Sequence, residues 1–146
     1  MTEEEAARIE AACIRLQQRY GTLADRQDPK FRELFVDDAS ITLPDLPTFA
    51  GMEAIMAGQA QWRESGIVMR HVCTNFTIEV IDDSHAEGIT YLTVYHRAAM
   101  AEPPAEPPPS LPVSVGEFHD TFVKSGGKWL FKTRVLHRIF RGIVQP

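Results

Sequence analysis

The hydrophobic pattern of this chain changes period near residue 68, and that change limits the folds open to it more than any other feature. Before it, apolar residues recur at helical spacing; after it, apolar and polar residues alternate. Helices first and strands afterwards is the α+β order. Thr2 followed by Glu5 has the form of a capping box, and an acidic first turn suits the positive end of a helix dipole. From there Ile9, Cys13, Leu16, Tyr20 and Leu23 stack on one stripe of a helix reaching to about residue 24. Asp28 before Pro29 predicts the cap of a second, short helix, FRELFV, carrying Phe31, Leu34 and Phe35 inward. DDASITL reads as a first strand, broken by Pro44 and Pro47. Met52, Ile55, Met56 and Trp62 then repeat at helical spacing until Gly66, which predicts a third helix.

The remainder reads as a meander of antiparallel strands at about 68–80, 86–97, 113–124 and 128–140. IDDSH and KSGGK have hairpin-turn chemistry. Six of the ten prolines fall between residues 103 and 112, so the connector at about 98–112 cannot donate ladder hydrogen bonds. It is expected to be an extended hairpin loop, with a lid over a pocket or a subunit arm as the other readings. No repeat or second domain is visible, which predicts one domain over residues 1–146.

Composition excludes several function classes. A formal charge of −5 leaves no basic field for a polyanion, so nucleic acid is not an expected partner. No apolar run approaches the roughly 20 residues needed to span a bilayer, and the acidic N-terminus is unlike a secretory signal. A cytoplasmic chain with no membrane contact is expected. Cys13 and Cys73 have no metal-type spacing and read as reduced, apolar residues. No HxH, HxxxH or HxD pair is present, so no metal site is expected.

The chemistry-bearing residues concentrate in a few places. On the first long strand His71, Cys73, Asn75 and Thr77 share one face, with Val72, Phe76, Ile78 and Val80 on the other. Thr90, Leu92, Val94 and His96 share a side of the next strand, and Gly116, Phe118, Asp120 and Phe122 a side of the third. An imidazole titrates near neutrality, and a carboxylate beside it fixes its tautomer, so Asp25 and His71 together would move a proton on a small molecule. Asp25 lies off the stripe defined by Tyr20, so it reaches a pocket only where the helix has ended or turned. Asp120 has Arg134 on the adjacent strand as a natural partner.

These residues carry a resemblance. RYGTLADRQDPKFRELFVDDASITL, the central GMEAI, then RHVCTN, GEFHDTF and KWLFKTRV, together resemble the SnoaL-like branch of the nuclear-transport-factor-2-like superfamily. Within it the chain is similar to scytalone dehydratase and to hexachlorocyclohexane dehydrochlorinase. The resemblance implies a cone-shaped α+β barrel, three N-terminal helices packed on a strongly bent antiparallel sheet. It also implies catalytic roles for Asp25, His71 and His96, with Tyr20, Trp62, Asn75, Phe118 and Asp120 as substrate contacts. The implied activity is a dehydratase-like elimination or an isomerisation of a small cyclic or polyketide-like molecule, without cofactor, in a dimer or trimer formed through the outer sheet face. The other reading is a non-catalytic ligand-binding or dimerisation module of the same shape.

Overall fold

The computed structural model describes residues 1–142. Helix α1 (Glu3–Asp25) opens with the expected box: the Glu5 N–H donates to Thr2 Oγ1 at 3.1 Å, and the Thr2 N–H donates to Glu5 Oε2 at 2.7 Å. Its stripe of Ile9, Cys13, Leu16, Tyr20 and Leu23 is buried as the spacing requires. Asp28 caps the next turn by accepting from the Lys30 N–H at 2.8 Å. That turn is a 3-10 helix over Pro29–Leu34 rather than an α-helix over 31–36, because Phe35 already begins strand β1 (Phe35–Thr42). Phe31, Leu34 and Phe35 are all buried, so the inward set is as expected.

A two-residue strand β2 (Phe49–Ala50) precedes helix α2 (Met52–Ser65), which Gly66 terminates in the left-handed conformation at φ 67°. The four long strands follow: β3 (Val68–Val80), β4 (His85–Arg97), β5 (Ser114–Ser125) and β6 (Lys128–Arg141). All six form one sheet in the order β2-β1-β6-β5-β4-β3, with β1 running parallel to β6 and the other pairs antiparallel. The α+β class and the helix-first order agree with the sequence. The cone is not a closed barrel, since β2 and β3 are its free edges. Helix α1 lies against β3, β4 and β6, and the core fills the space between.

Bulges on β3 and β6 correct the simple alternation. Asn75 takes φ 52°, the β3–β4 register shifts between Thr74 and Thr77, and the inward set of β3 passes from Met69, His71 and Cys73 to Phe76, Ile78 and Val80. Asparagine tolerates this conformation better than most residues. On β6, Phe131 pairs with Phe122 and Thr133 with Thr121, so Lys132 is an extra residue. Phe131 and Arg134 are therefore both fully buried although three positions apart. Ile139 is a second extra residue on β6, between the pairs Gly116 with Arg138 and Val115 with Phe140. The chain from residue 98 to 112 has no regular structure and joins β4 to β5.

Candidate functional site

Helix α1 approaches β3 closely at one point. A Cβ built on Gly21 would stand 3.0 Å from the Cβ of His71, so only glycine lets helix and strand come this near without displacement. Asp25 is four residues further on, one turn along the same line of the helix. The helix runs through Asp25 and neither ends nor turns before it. The stripe facing the sheet is wider than Tyr20 indicates, because Gln17 and Gly21 belong to it.

Both oxygens of Asp25 engage His71. The His71 backbone N–H donates to Oδ2 at 2.9 Å, and ring Nδ1 lies 2.5 Å from Oδ1. β3 is an edge strand, and the carboxylate supplies the acceptor that a missing neighbour strand would have supplied. The two side chains are 12% and 9% exposed, which keeps the contact largely out of water. A carboxylate at Nδ1 fixes the tautomer in which Nδ1 carries the proton and Nε2 has a free lone pair.

His71 is part of the wall of a half-open cavity of about 370 Å³ bordered by α1, α2, the 43–49 loop, β1 and the inner faces of β3 to β6. Tyr20, Trp62, His96 and Phe118 also line it, and its surface is mostly apolar. His71 opposes Val94 across the β3–β4 ladder, which makes His96 its diagonal neighbour, a spacing of about 7 to 8 Å between backbones. Burial pushes the Tyr20 hydroxyl up to about 12, so it is a hydrogen-bond donor at any physiological pH. Burial likewise pushes the Cys13 thiol up to about 12 and raises that of Cys73, so both free cysteines stay protonated.

Two expected substrate contacts are elsewhere. Asn75 is exposed on its bulge and is absent from the cavity wall, because the reversal of β3 begins there. Asp120 is 3% exposed and belongs to a buried ion pair behind the wall. Arg134 donates to it twice, Nε to Oδ1 at 2.8 Å and Nη2 to Oδ2 at 3.0 Å, and Gln17 Nε2 donates to Oδ2 at 3.0 Å. The guanidinium carbon sits 3.8 Å from the Phe118 ring centre and 4.2 Å from that of Tyr20, so the pair supports the cavity floor from beneath. The partnership of Asp120 with Arg134 was legible from their positions on neighbouring strands.

Sequence reasoning missed Ser114, Asp45 and Arg138 in the cavity wall. Arg138 had a signal: it keeps the alternation of Arg134 and Leu136. Asp45 had none, since its place depends on the course of a proline-bounded loop. Among the described residues no cluster of three or more His, Cys, Asp or Glu is arranged to hold a metal ion, and no helix is long and apolar enough to cross a membrane.

An open cone of sheet wrapped on a long helix, with an apolar hollow inside, defines the nuclear-transport-factor-2-like class of α+β folds. The SnoaL-like domain family matches residues 5–135, and the chain belongs to that family. Among solved structures, a scytalone-dehydratase-like protein of Novosphingobium aromaticivorans superposes with a TM-score of 0.81 at 20% identity, over 99% of this chain and 94% of that one. A type 2 hexachlorocyclohexane dehydrochlorinase gives 0.82 at 16% identity, with the same shares covered, 99% and 94%. A Mycobacterium tuberculosis protein described as of unknown function gives 0.77 at 23%, over 94% of this chain and 76% of that one. At these identities the likeness establishes the fold. No curated protein matches the chain.

Proposed function

We propose that the chain is a lyase or isomerase that uses no cofactor and acts on a small cyclic or polyketide-like molecule. The observation that carries this reading is the 2.5 Å contact of Asp25 Oδ1 with His71 Nδ1 beside an apolar hollow. In this reading His71 Nε2 takes a proton from a carbon next to a carbonyl, and the C–H electron pair moves into an enolate. Asp25 stabilises the imidazolium that results. Tyr20 and His96 line the same hollow, and the tyrosine hydroxyl and the imidazole of His96 would hydrogen-bond the enolate oxygen or the departing group. For an elimination the new C=C bond forms as the β C–O bond breaks, and the leaving hydroxide takes the proton from the His71 imidazolium to depart as water. For an isomerisation the imidazolium returns its proton to a different carbon. The likeness to a dehydratase-like protein and to a dehydrochlorinase supports elimination as the first chemistry to assay.

The test is a panel of cyclic β-hydroxyketones, followed by the ultraviolet absorbance of the conjugated product and by deuterium exchange of the α-proton. His71→Ala should lower the rate by about a hundred- to ten-thousand-fold with an unchanged circular dichroism spectrum. Equal rates in wild type and variant, or no exchange by wild type, would leave a ligand-binding module in place of an enzyme.

A further inference from the structure

Among the described residues the cavity wall contains one permanently charged cation, Arg138, and its partner is weakly held. Arg138 Nη1 donates to Asp45 Oδ2 at 2.9 Å; the arginine side chain is 30% exposed and the aspartate 80%. An ion pair this open to solvent contributes little, so another anion can replace Asp45 at small cost while Asp45 returns to water. A second observation lies on β5, the strand next to that of Arg138: Ser114 opposes Val94, which opposes His71. The Ser114 hydroxyl oxygen is buried without a hydrogen-bond partner, and Ser114 is part of the cavity wall. A buried hydroxyl without a partner is costly, and a turn about its χ1 bond would bring it to an acceptor in the cavity.

The sheet register places Arg138 relative to His71. Cys73 opposes Leu92, Leu92 opposes Gly116, and Gly116 opposes Arg138. Arg138 is thus three strands across, on the row that begins one inward position from His71. Three inter-strand spacings amount to roughly 14 Å along a flat sheet, less across a bent one, and an arginine side chain extends back over part of that. The interval left between guanidinium and imidazole suits a molecule of one or two fused rings.

We propose that the substrate class of this site is a cyclic molecule bearing a carboxylate, held by Arg138 and Ser114 across the sheet from His71. Asp45 occupies Arg138 when the cavity is empty and is displaced by the ligand carboxylate. The assignment deepens the lyase or isomerase reading in that it places the reacting carbon at the far end from the anchor.

The test is binding, read by calorimetry, of 2-naphthoate and its uncharged methyl ester. Wild type should bind the acid about ten-fold or more tighter than the ester. Arg138→Met should abolish that preference, and Asp45→Asn should strengthen acid binding several-fold by removing the competitor. His71→Ala should keep the preference, which separates the anchor from the proton-transfer reading: an acid preference in a protein without turnover retains the first and retires the second. Equal affinity for acid and ester, no binding of either, or a preference unaffected by Arg138→Met overturns the proposal.

Discussion

Gly21 lies directly beneath His71, where a methyl group would fit only tightly: an added Cβ would stand 3.0 Å from His71 Cβ and 3.4 Å from its carbonyl oxygen. The distance between helix and strand is therefore set at the residue that Asp25 must reach one turn later.

Substitution at this glycine should disturb the pair through its spacing. Gly21→Ala recovers about 1 kcal/mol of helix propensity and loses a similar amount to overpacking, so its stability should change little. Gly21→Val adds branched bulk that the strand cannot accommodate and should cost about 1 to 3 kcal/mol in urea unfolding. The same variant should lose the downfield proton resonance of the His71 Nδ1–H held by Asp25. Retention of that resonance in Gly21→Val would show that the close approach does not position the pair.

The buried Asp120 and Arg134 make a different prediction. Both side chains are 0% exposed, so each depends on the other for its charge to be tolerated. Arg134→Met should cost about 3 to 5 kcal/mol, because it strands an anion that retains only Gln17 as a side-chain donor. Combining it with Asp120→Leu should restore most of the loss, since a well-packed apolar pair is often no worse than a buried ion pair. Chemical denaturation of the single and double variants reads both values. A double variant as unstable as Arg134→Met alone would contradict the argument.

The β3–β4 turn supplies a pH dependence. Asp82 Oδ1 accepts from the Ser84 N–H at 2.8 Å, the Ser84 hydroxyl at 2.9 Å and the His85 N–H at 2.7 Å. The Ser84 backbone and side-chain hydrogen bonds, with His85 behind them, lower the carboxyl from 3.8 to about 2. A depressed carboxyl stabilises the fold above its unfolded value, and that contribution disappears as pH falls through the folded value. The melting-temperature gap between wild type and Asp82→Ala should thus be full above pH 4 and should close as pH drops towards 2. A gap constant across that window would show that these hydrogen bonds do not form in solution.

Much of this was legible in the residues, and the exceptions share one cause. The stripe of α1 and the spans of the four long strands follow from short-range periodicity, which a single chain displays directly. The contact of Asp25 with His71 was readable as a chemical pairing, although Gly21, the residue that makes it geometrically possible, has no side chain for a pattern to register. Asn75 was misplaced because a bulge costs the sequence only one residue and leaves the alternation on either side intact. Lys132 hides in the same way on β6, where the run TRVLH continues without interruption. Asp120 has two readings in the sequence, substrate contact or partner of Arg134, and only the depth of Arg134 decides between them. The pairing of β1 with β6 joins segments some ninety positions apart, out of reach of any local pattern.

The left-handed turn at Asn75 divides the labour of one continuous strand. Upstream of it, β3 answers to whatever enters the hollow; downstream, it answers only to the interior of the protein. Mutational drift in Phe76, Ile78 and Val80 can consequently retune robustness without retuning chemistry, whereas losing the kink itself would rotate one half against the other and confuse the two allegiances.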